Sequence, residues 1–286
     1  MAAVLTKQLT PTHYAGAEGA SIRLSQLIRD FLVSVKRSGF WLYSSWMEVL
    51  LSYRSTILGP IWIVMGTAVF VFAVGTLYSH VILANGSNVY LAHLAVGITL
   101  WYLISKVLIG SCHFFRSNRS YILDGDINYT DLILKLITTN LIYLTHNSII
   151  VVIALIVSGS FVSLVAGLIF LTFPLVLLNL TWISVTLAIL GARFPDLEEF
   201  TQSSLRLLFF LTPILWVANQ HVRGAMVDAL LYLNPFYYFI EIIRGPLVYG
   251  HIPYFEIAIL TVALPIGWLI ASFLYARTRP WLALWL

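Results

Sequence analysis

Two stretches of the chain contain no Asp, Glu, Lys or Arg, and each is long enough to cross a bilayer twice. One lies between Arg54 and Lys106 and holds 51 residues; the other lies between Lys135 and Arg193 and holds 57. Two shorter gaps, Arg206 to Arg223 and Glu256 to Arg277, hold 16 and 20 residues. A helix needs about 20 mostly apolar residues to cross a hydrocarbon core about 30 Å thick. Each long gap therefore fits a helix pair and each short gap one helix, which gives six transmembrane helices. The expected fold class is all-α and polytopic. Ion-driven transporters place acidic or basic side chains near the bilayer midplane, and these uncharged spans argue against that class.

Composition points the same way. Of 286 residues, 60% are hydrophobic and only 10% charged, with a mean hydropathy of +0.91. A soluble domain carries about 25% charge. Six spans leave no room for a large soluble domain beside them. The single cysteine, Cys112, excludes an internal disulfide framework and a cysteine-based metal site. A pI near 9.2 is compatible with nucleic acid, but basic residues in a membrane chain mark its cytoplasmic loops, so no nucleic-acid partner is expected.

Residues 1–20 are polar and small, without the apolar core of a signal peptide, and are expected to be a flexible cytoplasmic tail. Residues 21–54 form an interface region. Leu24, Leu27, Ile28, Phe31, Leu32 and Val35 recur as one stripe of a helix, with Arg23, Arg29, Lys36 and Arg37 largely off it. Such a basic amphipathic helix lies in the headgroup plane. Gly39 is expected to end it, and Trp41, Tyr43 and Trp46 to anchor the chain at headgroup level.

Residues 55–286 form the six-span domain, with spans near 58–83, 89–110, 132–157, 162–190, 203–218 and 257–276. Ala84 to Asn88 and Ser158-Gly159-Ser160 read as turns, and 192–199 as a short charged loop. Residues 219–255 are too apolar for a plain loop. Asn234-Pro235 divides them into two pieces, Gln220–Leu233 and Phe236–Tyr249. Each piece reaches about 21 Å as a helix, too short to cross. They read as a short re-entrant helical hairpin between spans five and six; the plainer alternative is an interfacial helix that anchors span six. With the N-terminus inside, 14 of the 16 basic residues fall on inner segments, and only Arg223 and Arg244 lie outside. Both termini are then cytoplasmic.

Motifs for chemistry are few. No Gly-Lys dipeptide occurs, so a phosphate-cradling Walker loop is absent from the sequence. His146 sits alone on span three and is expected to bond to a neighbouring helix. His80, His93 and His251 share the outer side without metal-ligand spacing, so no metal is expected. His113 with Asp124 and Asp126 is a weak acid–base candidate. Trp101, Trp182 and Trp268 either offer ring faces along a pore or pack against helices and lipid. Thr67, Asn140, Thr145, Asn147, Asn179 and Thr181 either line a path for a hydroxyl-rich cargo or bond helix to helix.

Four segments together resemble a known family. Tyr53-Arg54, Leu58-Gly59-Pro60 and Trp62 resemble the signature ahead of span one in permeases of type-2 ABC exporters, above all those for O-antigen, capsule and teichoic-acid polysaccharides. Ala192-Arg193-Phe194-Pro195-Asp196-Leu197, followed by Leu211-Thr212-Pro213-Ile214, resembles the family's entry into span five. Leu233-Asn234-Pro235-Phe236 and Glu241-Ile242-Ile243-Arg244 resemble its outer hairpin, and Trp285-Leu286 its ending. The chain departs from the pattern in Ser55-Thr56, in Pro195, and in the acidic Leu123-Asp124-Gly125-Asp126 of the inner loop.

The resemblance implies a homodimer of permeases bound to two copies of an ATPase subunit. The chain itself would be no enzyme and hold no cofactor; ATP and Mg would be bound by the partner. The cargo would be a lipid-linked polysaccharide crossing the bacterial cytoplasmic membrane, among membrane lipids. Tyr53, Arg54 and Trp62 are expected to meet the lipid diphosphate, Arg54 through its phosphate-matching fork. Arg116, Arg119, Tyr121, Ile122, Leu123 and Asp124 are expected to couple to the ATPase. Asn234, Pro235, Glu241 and Arg244 are expected to form an outer gate, with the Glu241–Arg244 pair a minor structural contribution. Alternatives are a type-2 ABC permease for a drug or lipid, an integral membrane glycan transferase, and an ion-coupled flippase.

Overall fold

A computed structural model describes residues 18–54, 59, 61–81, 88–123, 127–159, 164–217 and 224–286. Every regular element among them is helical. In chain order these are α1 (Glu18–Lys36), α2 (Ser38–Tyr53), α3 (Ile61–Val81), α4 (Asn88–Ser117), α5 (Arg119–Leu123) and α6 (Tyr129–Ser158). A 3-10 turn, Leu164–Leu168, leads into α7 (Ile169–Arg193); α8 (Leu197–Leu211), α9 (Ala225–Leu233) and α10 (Pro235–Arg244) follow. A π turn, Gly245–Tyr249, extends α10, and α11 (Tyr254–Trp285) closes the chain.

Among the described residues, four helices are long and apolar enough to span a bilayer: Val89–Ser117, Tyr129–Ser158, Val165–Arg193 and Tyr254–Trp285. The chain is thus an all-α polytopic membrane protein. The first expected span falls on α3, whose apolar run Val64–Tyr78 is shorter than those four. The fifth was expected at 203–218, but α8 begins at Leu197 and stops at Leu211. Its start gains from Glu198 and Glu199 in the first turn, where the helix dipole favours acids. Its end follows from Pro213, which forces the residue before it out of the helical region; Thr212 has ψ 135.

The centre of the bundle is α4. Its apolar window is 72% buried, against 22% for the windows of α6 and α11. It is surrounded by protein: α4 packs against α3, α6, α7, α8 and α10. Close approach to α7 depends on Gly191: a Cβ there would overlap the carbonyl oxygen of Cys112. At the α7–α11 contact, Gly267 likewise leaves room for the Trp182 indole. Small residues at such crossings let backbones touch where no water drives association. Asn179 adds a bond across the same contact, its Nδ2 donating to Leu260 O at 3.1 Å.

One end of the bundle collects the basic residues. Lys135 of α6 pairs with Glu48 of α2 at 3.0 Å, and Arg279 of α11 pairs with Asp30 of α1 at 3.3 Å. Arg193 at the end of α7 stacks over Trp285 at the end of α11. His113 and Arg116, near the end of α4, meet Glu198 at the start of α8. From there α8 runs antiparallel to α4 until Ile214 lies against Gly97. The 16 residues from Gly97 to His113 mark about 24 Å along the α4 axis.

The N-terminal region is two helices, with the break at Arg37 (φ -89, ψ 38), so Gly39 does not end the first but sits inside α2. Helix α1 already covers 18–20, and the rest of the expected tail lies outside the described residues. The α1 stripe divides. Leu27 and Phe31 pack inward, Phe31 edge-on to Trp268 with ring centroids 5.2 Å apart, while Ile28, Leu32 and Val35 remain exposed. Buried Asp30 accepts from the Tyr275 hydroxyl at 2.9 Å, tying α1 to α11.

Candidate functional site

At the end opposite the basic cluster, α4, α10 and the turn after α8 enclose a buried polar cluster. Arg244 is 2% exposed and Glu241 7%. The guanidinium donates from Nε and Nη2 to Glu241 Oε2 at 3.0 and 2.5 Å. Its Nη1 donates to the carbonyl of Pro213 and lies 3.2 Å from His93 Nε2. A guanidinium only donates, so Nε2 accepts; the ring proton then sits on Nδ1, which donates to the Tyr249 hydroxyl 2.6 Å away. The cluster borders a cavity of about 280 Å³, lined also by Asp228, Tyr237 and His251.

Asn234 explains how the hairpin is aimed. Its Oδ1 caps α10 by accepting from Phe236 N at 3.0 Å, and Pro235 takes the first helical position, where its missing N–H costs nothing. Its Nδ2 reaches Thr212 Oγ1 at 2.7 Å, joining the α9–α10 corner to the end of α8. Tyr238 closes the corner from inside, its hydroxyl donating to Tyr232 O at 2.8 Å. Asn234 and Arg244 therefore grip adjacent residues after α8, Thr212 and Pro213, with Glu241 paired to Arg244 and Pro235 starting the helix that carries both. The Glu241–Arg244 contact is more than a minor i,i+3 pair: it is a buried ion pair on which α4, α8 and α10 converge. Sequence spacing showed the pair but not its burial. Nothing in the sequence spacing marks His93, Thr212, Pro213 and Tyr249 as its partners.

At the basic end, the short α5 lies beside α2. Tyr121 and Leu123 are exposed, Arg119 is exposed, and Ile122 is buried among the chain's own apolar residues. Arg116 turns towards Glu198 and the Pro195 carbonyl. Asp124 and Asp126 lie outside the described residues; His113 pairs instead with Glu198 at 3.0 Å. Arg54 closes α2 and is exposed, as is Trp62. Tyr53 hydrogen-bonds with Tyr143; burial, together with that hydroxyl, pushes its phenol up to about 12, so it remains neutral.

The polar span residues mostly satisfy their own helices. Thr145, Asn140, Asn147 and Thr181 donate to the carbonyl four residues back, and His146 does the same through Nδ1 with Ile142 O at 2.7 Å. His146 thus bonds within its own helix, and among the described residues no bond of its ring reaches a neighbour. Trp101, Trp182 and Trp268 all pack on protein, Trp101 between Phe209 and Phe236. Between α3, α4 and α8 an open cleft of about 390 Å³ is walled by Phe70, Trp101, Tyr102, Phe209 and Phe210, with Arg206 at its edge.

The chain matches no protein-family model, and no curated protein is significantly similar to it.

Proposed function

We propose that this chain is the permease subunit of an ATP-driven exporter that carries a lipid-linked polysaccharide across the bacterial cytoplasmic membrane. It works as a homodimer, and two copies of a separate ATPase subunit bind ATP and Mg and do the pushing. Its six crossings are α3, α4, α6, α7, α8 with the turn after it, and α11. Helices α9 and α10 dip into the outer leaflet and return, and both termini face the cytoplasm.

What carries this reading is the two-ended charge pattern on a polytopic helical body. Lys135, Arg116, Arg193 and Arg279 gather at one end. Basic residues on the cytoplasmic side orient such a bundle. The opposite end holds the Asn234-Pro235 hairpin, tied to α4 through Arg244. A partner ATPase would seat on the exposed Tyr121 and Leu123. The aromatic cleft between α3, α4 and α8 suits sugar rings, which stack on apolar faces and need no buried charge. The four segments that resemble the polysaccharide permeases give the cargo class. Deleting the chain should trap lipid-linked glycan on the cytoplasmic side while its synthesis continues. Normal surface glycan in the deletion strain would overturn the cargo assignment and favour a smaller amphiphile.

A further inference from the structure

Between α3, α4 and α6 lies a cleft of about 260 Å³ with a partly polar lining. Thr67, Thr99, Lys106, Asn140, Tyr143 and Asn147 border it. Among the described residues, two polar atoms there have no partner: Thr99 Oγ1 and Asn147 Oδ1, on side chains of residues only 3% and 5% exposed. Lys106 places its ammonium 4.8 Å from the centre of the Tyr143 ring, and none of the ion pairs among the described residues includes it. Each group asks for a different ligand feature. An ammonium only donates and calls for an anion; an amide oxygen only accepts and calls for a hydroxyl or N–H; the threonine takes either role.

An anion carrying hydroxyl donors answers all three, and a phosphorylated sugar is such a group. A second cavity shows what the rest of that molecule is. Thr99 and Leu144 also border an apolar space of about 400 Å³, walled by Val96, Leu100, Phe173 and Leu247. It extends from the polar cleft towards the hairpin end of α4. Lys106 stands 10 residues from Arg116, about 15 Å along the helix, and lies between the basic end and the apolar space. Head near the basic end and chain towards the middle is how a lipid stands in the cytoplasmic leaflet.

We propose that this pair of cavities holds the phosphate-linked end of the lipid-carried glycan before it moves. Lys106 binds the phosphate, Asn147 and Thr99 bind hydroxyls of the first sugar, and the apolar space takes the start of the lipid chain. The inference rests on the exporter reading for its cargo and leaflet. Tyr53, bonded to Tyr143, brings the end of α2 and the following Arg54 to the same side.

The test uses the full chain in phosphatidylcholine nanodiscs. The probe is a prenyl diphospho-hexose with a photoreactive group on its chain, compared with prenyl diphosphate alone and with soluble hexose 1-phosphate. Crosslinks are expected on α4, α6 and α7. Lys106→Gln and Asn147→Leu should each weaken probe binding by roughly tenfold or more. Gly66→Leu is the variant that keeps every polar group: a Cβ at Gly66 meets open space, yet the residue borders the cleft. It should block binding with the thermal unfolding midpoint unchanged. Prenyl diphosphate without sugar should respond to Lys106→Gln and ignore Asn147→Leu.

Hexose phosphate binding as tightly as the lipid form would overturn the lipid assignment, and a wild-type chain that fails to bind the probe would overturn the site. Undiminished probe binding in all three variants would also overturn the site. That last result would leave the exporter reading standing, because glycan retention in a deletion strain does not depend on where the lipid docks.

Discussion

Arg244→Met should be among the most destabilising single changes on the hairpin. The guanidinium makes four contacts: two to Glu241, one to the Pro213 carbonyl and one to His93. Removing it leaves the Glu241 carboxylate, 7% exposed, buried without its cation. Breaking a buried pair from one side costs about 3–5 kcal/mol, and each of the two orphaned buried acceptors, the Pro213 carbonyl and His93 Nε2, adds about 1–3. For a chain of this size each kcal/mol moves the unfolding midpoint by about 2–4 °C, so a fall of roughly 10 °C or more is expected. The measurement is thermal unfolding in nanodiscs. The double variant E241M/R244M should recover the ion-pair part of the loss, because an apolar pair of similar volume does not leave a charge stranded. The Pro213 carbonyl and His93 Nε2 still lack their donor, so recovery should stop short of wild type by about 1–3 kcal/mol for each. A single variant within about 1 kcal/mol of wild type, or a double variant no better than the single, would refute the assignment of Arg244 as the buried tie.

Three further outcomes follow from named contacts. Gly191→Ala should push α4 and α7 apart, because the added methyl overlaps the Cys112 carbonyl and neither backbone can yield cheaply; overpacking of this kind costs about 1–3 kcal/mol, read as a lowered unfolding midpoint. Introduced cysteines at Tyr121 and Leu123 should crosslink to the ATPase partner, and one at buried Ile122 should not; the reverse pattern would move the docking surface elsewhere. Arg54→Ala should reduce glycan export while leaving the unfolding free energy within about 0.5 kcal/mol of wild type, since the side chain is exposed.

The positions of the long helices were legible because they depend on a one-dimensional property, the run of uncharged residues. The gap between Lys135 and Arg193 holds most of both α6 and α7, and Gly159, at φ 71, ends the first of them where a turn was expected. The α9–α10 corner was legible for a local reason: Asn234 caps and Pro235 starts a helix whatever surrounds them. Boundaries set by tertiary partners were not. Helix α8 takes in Leu197, Glu198 and Glu199, because Glu198 is held by His113 of α4. The break at Arg37 leaves Ser34 free to meet Thr130 and Trp41 to bond back to Ser34 O. Burial of the site was the least legible. Glu241 and Arg244 sit three apart like any surface pair, and only packing against His93, 151 residues away, makes them interior. Lys106 looked like a boundary marker between gaps, and its cleft exists only once α3, α4 and α6 converge.

The central claim is that this chain is a conduit whose work comes from a companion ATPase. Reconstitution tests it most directly: purified chain in proteoliposomes loaded with lipid-linked glycan, with and without the ATPase, with glycan on the far leaflet as the readout. The account predicts no transfer by the chain alone and transfer with the ATPase that stops when ATP is withheld. Transfer by the chain alone, or ATP splitting by the chain alone, would contradict it.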